Sequence, residues 1–542
     1  MDTQNATDIS YSTAAKIFWC FVIFHALFWT VLPTCIQLNP GNYDVSEMVA
    51  TAREWPMGTT KHPAASVWFF EALYQATDRA EFSLYLIGQL WTVLGLWAVW
   101  RLSREIVSEK LALISVLCTA AFRYYNMGVI SYTTSVPPIA LWAAATTLFY
   151  LSLKYNRLRY WFGTGVFLGL GVLSKYSVFA LALTMVLFLT FSRQNRRYWF
   201  TAGPYLTTVV AFLLFLPHLI WSYNHGFPTV SYGFEHVAPQ HVSLIEHFTH
   251  PLAWFFKQVI IVIPILIGLI PIVGFLWQLR LKPVVRQANV SVDTEESQDK
   301  FSDKENWYFL SFVVFFPVVF QIVLNMISGE KMRPAYGSPL WSFIALWFLC
   351  GFKTADSVKA YKTAVGLCIA VLLGTAVCYV MNYQLYYWHQ QRFGQEICGS
   401  RIHYPGRGLA ELATKIWADQ GSGGKCPYIT GDWKPACNAA MYMADRPCTL
   451  IYYYGLEEGK IPTGYWASDS DVNEKGGIVI WTVPKGENDG FIPNWLYKRY
   501  PNAKPCSKAF ELPYQTKADV PPLRVGCAVV TSQSTSLSEG SR

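Results

Sequence analysis

The chain has 542 residues, 53% of them hydrophobic and only 14% charged, where a soluble protein carries about 25% charged residues. Its net charge of +8 is spread over short loops, which excludes a concentrated basic face and with it a nucleic-acid partner. Long apolar runs recur from residue 16 to residue 385 and then stop; 386–542 is ordinary globular sequence rich in Gly, Pro, Asp and Lys. The expected organisation is a membrane-embedded body, 1–385, followed by one aqueous domain, 386–542, long enough to bury a core of its own.

A spanning helix needs about 20 apolar residues, fewer where neighbours thin the bilayer. In chain order the candidate spans are roughly 16–35, 83–100, 109–122, 136–153, 161–173, 178–191, 200–221, 253–278, 307–327, 337–351 and 363–384, about eleven in all. The first follows a polar N-terminus with a single Lys16 and has no small-residue cleavage site after it, so it reads as a retained span. Charge sets the orientation. With the N-terminus cytoplasmic, the inside loops hold Arg101, Arg104 and Lys110; then Lys154, Arg157 and Arg159; then Arg193, Arg196 and Arg197. They continue with Arg280, Lys282 and Arg286, and with Lys353, Lys359 and Lys362. Each inside loop thus carries at least three basic residues, as the positive-inside rule asks, and the outside loop 222–252 has neither Lys nor Arg. The polar inside segment 279–306 contains no nucleotide-binding loop, so ATP-driven transport has no support.

Cysteine usage agrees. Cys20, Cys35, Cys118, Cys350, Cys368 and Cys378 lie in or beside spans, where cysteine acts as a small hydrophobe. Cys398, Cys426, Cys437, Cys448, Cys506 and Cys527 fall in the C-terminal domain. An odd number of crossings puts that domain outside, in an oxidising space where disulfides persist. Six cysteines allow fifteen pairings, all of them open. No CxxC pair or His cluster with ligand spacing supports a zinc site instead. The helical pattern AELATKIWAD, followed by strand-like GGIVIWTV, makes the domain α/β.

The first outside loop, 36–82, holds Asp44 and Glu47 three residues apart, then Lys61, His62 and Pro63, then Trp68, Phe69 and Phe70. Taken alone, Asp44-x-x-Glu47 is a capping box opening a helix over 45–55, and Lys61-His62-Pro63 is a loop turn. Together, at the mouth of a helix bundle, a carboxylate and a lysine suit chemistry on a lipid-linked phosphate: the lysine holds the phosphate as a point charge, and the carboxylate orients or deprotonates an incoming hydroxyl. Lys175 in VLSKYS, and Lys331 with Arg333 in SGEKMRPAYGSP, fall on the same outer side. Basic residues there run against the charge trend, which marks them as functional candidates; snorkelling to headgroups is the plain alternative. The 16% aromatic content is accounted for by interfacial belts.

These features resemble the lipid-phosphate-dependent glycosyltransferases of family 39, the GT-C fold group, which includes bacterial aminoarabinose transferases and protein O-mannosyltransferases. The resemblance covers nearly the whole chain. It is carried by Asp44 and Glu47, by the Lys61-His62-Pro63 turn, by Gly-x-Gly-Val-Leu-Ser-Lys175-Tyr176, and by Lys331…Tyr336…Pro339. Val45 follows Asp44 where the family often has a second acid, and Ala64 follows Pro63 where it often has proline. The resemblance implies a GT-C type polytopic helical protein of the bacterial inner membrane with a disulfide-bonded α/β domain in the periplasm. It implies an inverting transfer of a hexosyl, pentosyl or uronosyl group from a polyprenyl phosphate to lipid A or lipopolysaccharide core. Asp44 and Glu47 would be catalytic; Lys61, His62, Lys175, Tyr176, Lys331, Arg333 and Tyr336 would bind donor phosphate and substrate. No cofactor is required by this scheme, and a divalent metal near Glu47 and His236 stays open. A protein O-mannosyltransferase, a transporter and a non-catalytic scaffold are the alternatives; the chain has no internal repeat of the transporter kind.

Overall fold

The computed structural model describes residues 9–40, 43–237, 242–273, 301–355, 357–392, 403–421, 423–452, 466–515 and 520–532. Most of the polar segment 279–306, with Arg280, Lys282 and Arg286, lies outside the described residues, as do Cys398 and the side chain of His236.

In chain order the helices are α1 (Tyr11–Ile36), α2 (Tyr43–Ala52), α3 (Ala65–Ala76), α4 (Ser83–Ile106), α5 (Glu109–Ala120), α6 (Pro137–Tyr155), α7 (Leu158–Ser174), α8 (Phe179–Phe191) and α9 (Ala202–Asn224). There follow α10 (Pro228–Val237), α11 (Glu246–Val273), α12 (Asp303–Ser328), α13 (Ile344–Gly351) and α14 (Val358–Arg392). The C-terminal region adds α15 (Gly406–Gln420), β1 (Tyr428–Asp432), α16 (Trp433–Tyr442), β2 (Cys448–Tyr452), α17 (Asp469–Lys475), β3 (Gly477–Thr482), α18 (Leu496–Arg499), β4 (Ala503–Pro505), β5 (Phe510–Leu512) and β6 (Leu523–Val530). The chain divides into two compact units: Met1–Leu32, Tyr85–Ile220 and Ser231–Tyr379 form the first, and Pro33–Leu84, Trp221–Val230 and Val380–Arg542 the second.

Among the described residues six helices are long and apolar enough to cross a membrane: α1, α4, α9, α11, α12 and the Val358–Asn382 part of α14. The chain is a multi-pass membrane protein. The other five expected spans fall on shorter helices: α5 has 12 residues, α6 19, α7 17, α8 13 and α13 8. At about 1.5 Å per residue, α5 and α13 fall well short of a hydrocarbon core about 30 Å thick.

In the first unit, small residues decide how closely α7 approaches its neighbours. A Cβ on Gly165 would stand 2.7 Å from the Thr207 carbonyl oxygen, and one on Gly169 would stand 3.0 Å from Ala211 Cα. Gly165-x-x-x-Gly169 therefore lets the backbones of α7 and α9 touch, the way helices pack where lipid supplies no hydrophobic drive. α12 opens with a capping box: Ser302 Oγ accepts from Glu305 N, and Glu305 Oε2 accepts from Ser302 N at 2.7 Å.

The second unit is built on a sheet of order β2-β1-β3-β6-β4, with β5 on β6; β1, β2 and β3 run parallel and β6 antiparallel. Alternation along β3 sends Ile478 and Ile480 to one face and Val479 and Trp481 to the other, and both faces are covered. α15 and α16 pack on the first face through Leu409, Ala413, Ala436 and Ala440. Among the described residues Cys506 and Cys527 form a disulfide. Cys426, Cys437 and Cys448 are buried thiols, and burial pushes all three up, Cys426 to about 12. The expected helix and strand are α15 and β3, so the C-terminal region is α/β.

This unit also contains the loop 36–82. Ala50 of α2 lies in the sheet's core. Asn39 Nδ2 donates to Asn438 Oδ1 at 3.0 Å, and Asn438 Nδ2 to Ser46 Oγ at 3.3 Å. The fully buried Glu71 of α3 receives two bonds from the Arg446 guanidinium, at 2.7 and 2.9 Å.

Candidate active site

In the second unit Asp44 lies inside the first turn of α2, so the expected capping box, which needs it one position before the helix, is not what organises this end. Asp44 is exposed and Glu47 half-buried; at i and i+3 they share one helix face. The segment after α2 folds back as a tight turn: Gly58 and Pro63 form an antiparallel bridge, Thr59 N donates to His62 O at 3.0 Å, and His62 N donates to Thr59 Oγ1 at 3.0 Å. Thr229 Oγ1 holds the turn from outside through Thr59 O, at 2.6 Å. His62 thus takes part through its backbone, and the turn presents Lys61 to α2. Lys61 Nζ donates to Glu47 Oε2 at 3.0 Å, and the ammonium is 4.8 Å from the centre of the Trp433 ring. Trp433 in turn meets Tyr43 edge-on at 6.1 Å, and Lys434 Nζ stands 5.1 Å over the Tyr43 ring.

In the first unit, Lys175 ends α7 with extended backbone, φ −162° and ψ 132°. Gly171 makes the exit tight, since a Cβ there would meet Val178 Cγ1 at 2.9 Å. Lys175 Nζ donates to Ser135 Oγ at 3.0 Å and lies 4.7 Å over the Tyr336 ring. Desolvation, with the Arg333 charge second, lowers Lys175 to about 8. Tyr176 Oη and His218 Nε2 are 2.7 Å apart, and His218 is fully buried on α9. The 329–337 loop is fixed at both ends. Gly329, at φ +68°, caps α12, and its carbonyl lies 2.8 Å from His250 Nδ1. Gln258 Nε2 donates to Pro334 O at 2.9 Å, and a Cβ on Gly337 would push the Gln258 amide aside, 2.2 Å from its Oε1. Lys331 and Arg333, between these anchors, are exposed.

The structure thus gathers Asp44, Glu47, Lys61 and His62 in one unit, and Lys175, Tyr176, Arg333 and Tyr336 in the other. Sequence reasoning missed Trp433, Lys434, Ser135 and His218. Only His218 carried a signal, as an imidazole inside an apolar span. Among the described residues no group of three or more His, Cys, Asp or Glu side chains could hold a metal ion.

The chain resembles a solved structure along almost its whole length. ArnT from Cupriavidus metallidurans bound to undecaprenyl phosphate superposes with a TM-score of 0.57 at 14% identity, covering 97% of this chain and 99% of that one. The fold is shared with ArnT. The apo state of the same protein gives a TM-score of 0.57 at 13% identity, over 95% and 98% of the two chains. Residues 61–221 match the family model of dolichyl-phosphate-mannose-protein mannosyltransferases, a stretch that begins at Lys61 and takes in Lys175 and Tyr176. Comparison with curated proteins gives no match.

Proposed function

We propose that the chain transfers a sugar from a polyprenyl-phosphate donor to lipid A or lipopolysaccharide core at the periplasmic face of the bacterial inner membrane. The observation that carries this reading is the Lys61 ammonium, held at 3.0 Å by Glu47 one turn along α2 from the exposed Asp44, on a fold shared with a protein solved with undecaprenyl phosphate. The reaction is a single displacement. The acceptor oxygen forms its bond to the anomeric carbon as the bond from that carbon to the phosphate oxygen breaks, and the electron pair leaves with the phosphate. Lys61 neutralises the phosphate charge as it develops. Asp44 takes the proton of a hydroxyl acceptor; for a phosphate acceptor it serves only to position. Glu47 keeps Lys61 in place before the donor arrives. Lys175, Lys331, Arg333 and Tyr336 form a second cationic and aromatic locus suited to phosphate, with Tyr176 fixed beside it by His218.

No cofactor enters these steps. A divalent cation at Glu47 would have to displace the Lys61 ammonium from its carboxylate, and assay after dialysis against EDTA decides whether one takes part. The family match favours a second reading, in which the acceptor is a protein hydroxyl. The test is transfer of labelled sugar from polyprenyl phosphate to purified lipopolysaccharide, and separately to periplasmic protein, by wild type, Asp44→Asn and Lys61→Ala. Loss of activity by orders of magnitude in both folded variants supports the reading, and the labelled acceptor chooses between its two forms. A wild type that labels neither moves the transporter and scaffold readings ahead.

A further inference from the structure

We infer that the C-terminal domain supplies part of the donor-binding apparatus: Trp433, at the carboxyl end of β1, keeps the Lys61 ammonium where it can take a phosphate. This rests on the transferase reading and adds to it a positioning residue from the α/β domain.

The sheet topology points to this spot. The chain leaves β1 for β2 on one side and returns to β3 on the other. In open α/β sheets, the crevice outside the carboxyl ends of the strands at such a reversal is where ligands bind. Here that edge is fixed in place. Asp432 Oδ2 accepts from Thr482 N at 2.7 Å, tying the ends of β1 and β3. Gly431, at φ +114°, allows an approach that a Cβ, 2.0 Å from the Ile480 carbonyl oxygen, would forbid. Trp433 follows Asp432 directly, half-buried on the rim of the core. The crevice edge is therefore applied to the first-loop cluster, with Trp433 against Lys61 and Tyr43, and Lys434 over Tyr43.

Glu47 and Trp433 act differently on the Lys61 ammonium when a phosphate arrives. The Glu47 carboxylate accepts a hydrogen bond from the ammonium and so competes with the phosphate for it. The indole face attracts the cation through its quadrupole and uses no N–H donor. It can hold the ammonium both before and after Glu47 gives way. A lysine on a flexible four-carbon stem is a poorly fixed point charge, and Trp433 supplies the fixing that persists in the bound state.

The experiment measures binding of undecaprenyl phosphate to the purified full-length chain in detergent micelles, together with donor KM and kcat. The proteins are wild type, Trp433→Leu, Trp433→Phe, Lys61→Ala and the Trp433→Leu/Lys61→Ala double variant. Trp433→Leu is expected to weaken lipid binding and raise donor KM by about tenfold, with kcat within about twofold of wild type. Trp433→Phe, which keeps a weaker aromatic face, is expected to lose only about threefold, and it serves as the test if the leucine variant unfolds. In the Lys61→Ala background Trp433→Leu should add nothing. The inference is overturned if Trp433→Leu binds as wild type does while Lys61→Ala does not, or if its effect is undiminished without Lys61; the transferase reading then stands. If Lys61→Ala binds as tightly as wild type, the phosphate role of Lys61 fails and the inference falls with it.

Discussion

Replacing Glu47 by Gln separates two jobs that its carboxylate could do. Lys61 Nζ and Glu47 Oε2 are 3.0 Å apart, with 14% and 16% of the two side chains exposed. At that separation two unit charges attract by about 1.4 kcal/mol at the dielectric of water and about 5.5 kcal/mol at an effective dielectric of 20. Desolvation and side-chain ordering take back most of this, leaving on the order of 1–2 kcal/mol net. An incoming phosphodiester must displace the carboxylate or share the ammonium with it. Glu47→Gln keeps a hydrogen-bond acceptor but removes the charge, so the net attraction is released to the donor. Affinity for undecaprenyl phosphate, read by equilibrium binding in micelles, should rise about five- to thirtyfold, and donor KM should fall with it. Turnover should be unchanged, or slower where release of the product phosphate limits it. Asp44→Asn should instead leave lipid binding intact and lower kcat by about 10²–10⁴ for a hydroxyl acceptor. If Glu47→Gln loses turnover as Asp44→Asn does, at unchanged affinity, Glu47 is the proton acceptor and the counter-ion argument is refuted.

Lys175 is held to about 8, below its ordinary 10.5, so it is neutral above that pH; kcat/KM for the donor should fall above pH 8, and Lys175→Arg should extend the plateau. Between pH 8 and 10.5 the unfolded chain binds more protons at this group than the folded one, so its contribution to stability rises with pH in that window. Gly165→Val drives a side chain into the Thr207 backbone and should cost about 1–3 kcal/mol, read by thermal unfolding in detergent, whereas Gly366→Ala, with nothing within 4 Å, should have little effect. Reducing Cys506–Cys527, which closes a 21-residue separation, should destabilise the α/β region by about 3 kcal/mol; peptide mapping without reductant should recover this pair, with Cys426, Cys437 and Cys448 alkylated only after unfolding.

The spans over 16–35, 83–100, 200–221, 253–278, 307–327 and 363–384 were legible because lipid forces every backbone group into a helix, leaving apolar length as the whole signal. The same signal misjudged 337–351. That run is mostly apolar, broken by Ser338, Pro339 and Ser342, yet Pro334–Gly337 forms a 3-10 turn and the helix starts only at Ile344. Lys175 and Tyr176 could be picked out as a polar interruption between two apolar runs, but their partners could not. Ser135 comes from the turn before α6 and His218 from α9, which packs closely on α7; the imidazole stood out within its span, but no local pattern records which residue it meets. Trp433 was invisible for a related reason: nothing in YITGDWKPACNAAM distinguishes a rim tryptophan from a core one until the sheet order places it beside Lys61.

One signal in the first loop went unread. α3 is the apolar segment ASVWFFEALYQA with a single carboxylate, Glu71, in its middle. One turn on, Gln75 Nε2 donates to it at 2.7 Å, but a neutral amide does not compensate a buried charge. A carboxylate in such a helix must reach water or be met by a cation from elsewhere, since leaving it buried and unpaired costs several kcal/mol. Arg446 meets it, bidentate, and also donates to the Val49 carbonyl at 3.3 Å, so one guanidinium ties α2 and α3 to the C-terminal domain. The first loop therefore depends on that domain for its own stability. Arg446→Met leaves Glu71 buried without its cation and should destabilise the fold by about 3–5 kcal/mol, whereas Glu71→Gln with Arg446→Met together should recover much of it. A double variant no more stable than Arg446→Met alone would show that the ion pair is not what fastens Lys61, Glu47 and Asp44 to their support.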